Sequence, residues 1–220
     1  MNKLSLDQLG RSMIEMLGVL AIVGILSVGG IAGYSKAMQR YKLNKVVDEY
    51  QIFMQEYLAY KDDFIQAQKQ ANESSNLYFV ASYLKNMGIV PAGWIVKEVW
   101  IQDSVGAMFA PFARKNQGLD IDYQIKRKDA GVDNIELCLT MTNNVFKPLA
   151  PMLYSLGTYE ESYNDDGGIS GASSSLKFYG DSYCDDVEKK CVRSMPIEDI
   201  IKACKECAEE NSCRWILLFR

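Results

Sequence analysis

The chain has 220 residues, a formal net charge of −4 and 48% hydrophobic residues, enough for one membrane-anchored helix and one domain with a real core. It contains no histidine, which excludes Ser-His-Asp and Cys-His hydrolytic arrangements and any histidine-containing zinc site. With no catalytic constellation and no cofactor implied, the expectation is a non-enzymatic protein, and the mildly acidic balance offers no dense basic face for a direct nucleic-acid site.

Met13 to Gly33 is a continuous apolar run interrupted by one charge, Glu15. At helical rise it covers roughly 30 Å, the hydrocarbon thickness of a bilayer. Each Leu, Ile or Val in it contributes about −0.3 to −0.6 kcal/mol to insertion, against roughly +3 kcal/mol at most for one central carboxylate. The run is therefore expected to insert in spite of Glu15. A carboxylate near a helix end can snorkel to the headgroups, and Arg11, one turn away, can pair with it.

Leu9-Gly10-Arg11-Ser12-Met13-Ile14-Glu15 follows a short polar start holding Lys3 and Asp7. This stretch resembles the prepilin leader of the type IV pilin superfamily, in which a dedicated peptidase cuts after a glycine and a glutamate stands fifth in the processed chain. A cut after Gly10 makes Glu15 that fifth residue and puts Gly24 and Tyr34 where the family often has Gly and Tyr. The chain departs from the family at the new N terminus, Arg11, where Phe or Met is usual.

The resemblance covers the N-terminal quarter of the chain. It implies a cytoplasmic leader over 1–10, cleaved between Gly10 and Arg11, a transmembrane and assembly helix over 11–35, and a pilin-like domain over 36–220 that includes an amphipathic helix over 36–70. The precursor would be a single-pass inner-membrane protein, later part of an extracytoplasmic fibre at the cell surface. Its implied partners are other pilin subunits in a homopolymer, a prepilin peptidase, an inner-membrane assembly platform and membrane lipid. Glu15 would neutralise the new amine of a neighbouring subunit.

Within the superfamily a major pilin, a minor pilin and a type II secretion pseudopilin share this signal, and the length and cysteine-rich end resemble type IVb and conjugative pilins. The rival reading is an uncleaved, single-span anchored binding protein whose domain captures a ligand outside the cell. Lys36, Arg40, Lys42 and Lys45 outnumber Lys3 and Arg11 across the run, so the positive-inside rule taken alone would leave the domain in the cytoplasm. Long domains translocate largely regardless of local charge, and the cysteines argue for an oxidising side.

After Tyr34 the helical pattern turns amphipathic. Val46, Tyr50, Phe53, Tyr57 and Phe64 form one apolar row, and Leu43, Val47, Met54, Leu58 and Ile65 form a second beside it, wide enough to be covered by a sheet. No proline occurs before Pro91, so one continuous helix from Ser12 to Gln70 is expected. Gly24, Gly29, Gly30 and Gly33 weaken its middle by about 1 kcal/mol each relative to alanine in water. Such glycines allow close helix packing in a membrane, and the pilin resemblance adds local unwinding in a fibre.

Asn72 to Asn76 ends the helix, and Leu77 to Met87 reads as a second helix closed by Gly88. Pro91 to Gly93 is a turn leading into a strand from Trp94 to Ile101. Gln102 to Gln117 carries no clear period. Leu119, Ile121, Tyr123 and Ile125 alternate as a strand, with Ile135, Leu137 and Leu139 as the hairpin partner across Lys128 to Asp133. Asn143 to Leu156 reads as helix despite Pro148 and Pro151. Tyr159 to Ser175 reads as a polar loop, Ser175 to Tyr179 as a strand, Pro196 to Ala208 as a helix, and Arg214 to Phe219 as a closing central strand.

Within that loop, Asn164 to Gly168 resembles a calcium loop, and major pseudopilins hold calcium near their C-terminal end, which makes Asp165 and Asp166 weak calcium candidates. The ligand order is not that of an EF-hand and Asp-Gly clusters commonly form plain turns, so no metal is expected.

All six cysteines, Cys138, Cys184, Cys191, Cys204, Cys207 and Cys213, follow the apolar run, and their even count favours disulfides. Cys204-x-x-Cys207 has zinc-ligand spacing, but no second such pair accompanies it. A Cys184–Cys191 bridge would staple a short polar loop. Cys207–Cys213 with Cys138–Cys204 is one completion, and exchanging Cys204 and Cys207 is the other. The expected fold class is α+β: a long N-terminal helix, transmembrane in its first half and amphipathic in its second, packed on a mostly antiparallel β-sheet with a disulfide-tied C-terminal region.

Overall fold

The computed structural model describes residues 6–71, 76–125, 132–163, 169–209 and 213–220. The chain divides into two units, Met1–Tyr41 and Lys42–Arg220, the boundary falling inside helix α1, Leu6–Ala59.

In the first unit α1 starts at Leu6, ahead of the Ser12 expected from the apolar pattern. Leu6, Gln8, Leu9 and Arg11 are good helix formers and no proline or β-branched residue intervenes, so the helix extends into the polar start. The apolar side chains beyond it stand out from the chain, with Leu17 64% and Ile25 75% exposed. Among the described residues this is the one helix long and apolar enough to cross a membrane.

In the second unit the single helix expected to reach Gln70 is two. Tyr60 leaves helical geometry at φ −99°, ψ 14°, and α2 spans Lys61–Gln70. Asp62 and Asp63 in its first turn complement the free backbone donors of a new helix start. Phe64 stays buried, 6.1 Å from the Tyr57 ring, so the apolar row survives the break.

The eight-stranded sheet runs β2-β3-β4-β5-β8-β6-β7, with β1 also paired to β4, and its strand pairs are antiparallel. The strands are β1 (Leu77–Phe79), β2 (Ile95–Val96), β3 (Ile101–Gln102), β4 (Met108–Arg114), β5 (Gly118–Gln124), β6 (Ser155–Tyr163), β7 (Ile169–Tyr179) and β8 (Arg214–Phe219). The long-helix-plus-antiparallel-sheet class is as the sequence led us to expect, and β8 is central, between β5 and β6.

Several assignments change. Leu77 to Met87 is β1 followed by the short helix α3 (Ala81–Asn86), which Gly88 terminates at φ +74°. Trp94 to Ile101 is not one strand: Lys97 donates to the Trp100 carbonyl at 2.8 Å and folds the segment into the β2–β3 hairpin. The unassigned stretch supplies β4. Tyr159 to Ser175, whose composition reads as a polar loop, belongs mostly to β6 and β7, with 164–168 outside the described residues.

The largest correction concerns Ile135, Leu137 and Leu139. They lie in helix α4, Asn134–Met141, whose N-cap Asp133 accepts from the Glu136 amide at 2.8 Å. Both edges of β5 are taken by β4 and β8, leaving no place for a third partner. Helical spacing buries Leu137, Cys138 and Met141 together, where strand spacing would have buried every second residue. The following residues form a π-helical turn (Thr142–Phe146) and a 3₁₀ turn (Lys147–Leu149) before β6, in place of the longer helix expected. Helix α5 is Ile197–Glu209.

One face of the sheet meets the second half of α1 through aromatic rings. Tyr50 lies 5.5 Å from Phe109 and 5.7 Å from Tyr123, and Phe53 lies 5.2 Å from Phe109. Phe146 extends this layer, 5.4 Å from Tyr123 and 6.1 Å from Trp215. The strand register sends Phe112, Asp120 and Leu218 to the opposite face in one row, with Ala110, Asp122 and Ile216 in the next.

Candidate functional site

Glu15 is exposed within the apolar helix. Gly10 and Arg11 both fall inside α1. Gly24, Gly29, Gly30 and Gly33 lie in the same helix, and a Cβ added at any of them would meet nothing within 4 Å. Among the described residues, no neighbouring atom crowds those positions. Ser27 folds its hydroxyl back onto the Val23 carbonyl at 2.7 Å, which satisfies that polar group without a partner from outside the helix.

The cysteines form three disulfides. Cys138–Cys204 joins α4 to α5, Cys184–Cys191 closes a loop, and Cys207–Cys213 joins the end of α5 to the start of β8. Cys204 and Cys207 thus serve separate bridges, and no described group of His, Cys, Asp or Glu has the makings of a metal site. Asp165 and Asp166 lie outside the described residues.

The Cys184–Cys191 loop is held from within. Asp185 Oδ1 accepts from the amides of Val187, Glu188 and Lys189, each at 2.9 Å, and Asp186 Oδ1 accepts from the Cys191 amide and the Ser194 hydroxyl. The Lys189 amide above all holds the Asp185 carboxyl below its usual range, and the Ser194 hydroxyl does the same for Asp186.

Two buried polar groups carry features that the sequence reading did not single out. In the turn between β3 and β4, Asp103 accepts from the amides of Val105 and Ala107 and from the Tyr50 hydroxyl. Burial nevertheless pushes its carboxyl up to about 7. Nearby, Glu49 accepts from the Trp94 indole at 2.9 Å and from the Ser104 hydroxyl.

The second group lies on the sheet face opposite α1. Asp120 pairs with Arg114 and Asp122 with Arg214, both at 3.2 Å. Burial, reinforced by neighbouring Asp122 and opposed by Arg114, pushes Asp120 up to about 7. The two pairs border a cleft of about 500 Å³ that Trp100 and Phe79 flank. The available sequence signal was Asp120-Ile121-Asp122, two carboxylates sharing one face of a strand whose other face is apolar.

Compared with protein-family models, curated proteins and solved structures, the chain shows no match. What is established is an α+β protein with three disulfides and, among the described residues, one helix long and apolar enough to cross a membrane.

Proposed function

We propose that the chain is a type IV pilin-like subunit, held first in the inner membrane as a prepilin, cut after Gly10, and then polymerised through its N-terminal helix. The observation that carries this reading is the exposed apolar run Met13 to Gly33, whose one carboxylate, Glu15, stands five residues beyond Gly10. An ionised carboxylate in an apolar fibre core is strongly disfavoured unless it is paired. The new amine at Arg11 of a neighbouring subunit supplies the opposite charge, so the pairing sets the register between subunits.

The helix glycines support the same reading, because each leaves open space in the isolated chain that a neighbouring helix can occupy closely. The disulfides support placement of the domain on the oxidising side of the membrane, with lipid, the prepilin peptidase and an assembly platform as earlier partners.

The test is Glu15→Leu in cells that make the fibre. Membrane insertion and removal of the first ten residues should proceed, while fibre yield falls by at least about ten-fold. Wild-type fibre yield from that variant refutes the pairing role, and an intact Met1 on the wild-type protein recovered from cells refutes processing after Gly10.

A further inference from the structure

The cleft on the sheet face opposite α1 has its floor on β5. Asp120 and Asp122 stand two residues apart there, with Arg114 on one side and Arg214 on the other. The guanidinium of Arg214 lies 5.7 Å from the centre of the Trp100 ring and that of Arg114 lies 5.3 Å from the Phe112 ring. Each cation is thus positioned by a carboxylate and an aromatic ring together. The Asp120 side chain is 3% exposed, and its Oδ1 accepts no hydrogen bond from the described residues. A buried acceptor left without a donor is unfavourable, so a group that brings a donor to this carboxylate removes that penalty.

The charge pattern selects the donor. A free ammonium would meet a guanidinium on either side of β5, and a free carboxylate or phosphate would meet the two carboxylates between them. A hydroxyl donates and accepts through one neutral group and incurs neither repulsion. The flanking Trp100 and Phe79 offer apolar surface beside the charged floor, the mixture that small-molecule sites use for burial and orientation.

We propose that this cleft binds a neutral polyhydroxyl compound, a saccharide, whose hydroxyls donate to the Asp120 and Asp122 carboxylates and accept from Arg114 and Arg214 while its carbon skeleton lies against Trp100 and Phe79. Arg114 is one-third exposed and forms the outer side of the Asp120 pair. It is the group that moves when a hydroxyl reaches Asp120 Oδ1. Lys177 stands at the rim with its ammonium 5.2 Å from the centre of the Tyr179 ring. The inference does not depend on the fibre reading, since the cleft lies wholly within Lys42–Arg220.

The test uses the full chain in a detergent without a sugar headgroup. Saturation-transfer NMR is run with glucose, galactose, N-acetylglucosamine and maltose, and with spermidine and citrate as ionic probes. Transfer to the ring protons of at least one saccharide is expected, reduced at least about five-fold in Asp122→Asn and in Trp100→Ala. Trp100 is on a loop, so its variant remains informative if Asp122→Asn fails to fold. Absence of transfer to every saccharide, undiminished transfer in the folded variants, or tighter binding of spermidine or citrate than of any saccharide would each overturn the proposal.

Discussion

The Tyr50 hydroxyl on α1 donates to Asp103 Oδ2 in the β3–β4 turn at 3.2 Å, with both residues buried. Since Asp103 Oδ1 already takes the Val105 and Ala107 amides, the tyrosine supplies the donor for the other oxygen. Tyr50→Phe keeps the ring and removes that donor. It should lower stability by about 1–2 kcal/mol, and by more at pH 8 than at pH 5, because the lost bond matters most when Asp103 is ionised. Chemical denaturation at the two pH values measures both; an equal loss at each would show that the bond does not favour the ionised form.

Asp103 and Asp120 also set the pH dependence of the fold. Both carboxyls sit at about 7 in the native chain, against 3.8 ordinarily, so between those values the native state holds protons that the unfolded chain has released. Their contribution to stability is therefore fully present below about pH 4, is lost as pH rises to 7, and is level above. The slope is at most about 1.4 kcal/mol per pH unit for each group. Asp185 and Asp186 work in the opposite sense, but only as pH falls through their lowered values. The melting temperature should be higher at pH 5 than at pH 7.5, and Asp120→Asn should shrink the difference. A higher melting temperature at pH 7.5 than at pH 5 would contradict this.

Gly180, just past β7, has no room for a side chain: a Cβ there would run into the Leu153 and Ala150 carbonyl oxygens. The backbone is fixed at this point, because Gly180 donates to the Tyr154 carbonyl at 3.1 Å and Asp181 to that of Ala150 at 2.9 Å. Gly180→Ala should cost about 2–3 kcal/mol of domain stability. Gly33→Ala, with open space around it, should leave domain stability unchanged. Thermal melts of the two variants side by side make the comparison.

The three disulfides should not contribute equally. Cys138–Cys204 spans 66 residues and Cys184–Cys191 only 7. If restriction of the unfolded chain dominates, removing the first with paired serines costs roughly 4 kcal/mol and removing the second roughly 2. Denaturant midpoints under non-reducing conditions would rank them, and a larger loss from the short loop would argue that the internally bonded Asp185–Asp186 turn depends on its staple.

Much of this architecture was legible before any coordinates. Apolar content over 13–33 is enough by itself to mark a helix long and apolar enough to cross a membrane. The repeat that carries Val46, Tyr50, Phe53 and Tyr57 buries all four, because helical periodicity is a local property. The helix break at Tyr60 was not legible: favourable propensities continue through it, and only the acidic residues after it mark a new start.

Strand partnership was decided by the tertiary structure. Ile135, Leu137 and Leu139 alternate like a strand, yet β5 had both edges filled by segments more distant or previously unassigned, and a capped helix was the remaining way to bury Leu137 and Cys138. The assignment of Cys204 to Cys138 also required α4 and α5 to be neighbours, which spacing cannot express. The Asp120–Arg114 and Asp122–Arg214 pairs arise only when β4, β5 and β8 lie side by side in register. Periodicity and transfer energy are properties of a chain read in order, whereas pairing and cleft formation depend on which distant segments become neighbours when the sheet closes.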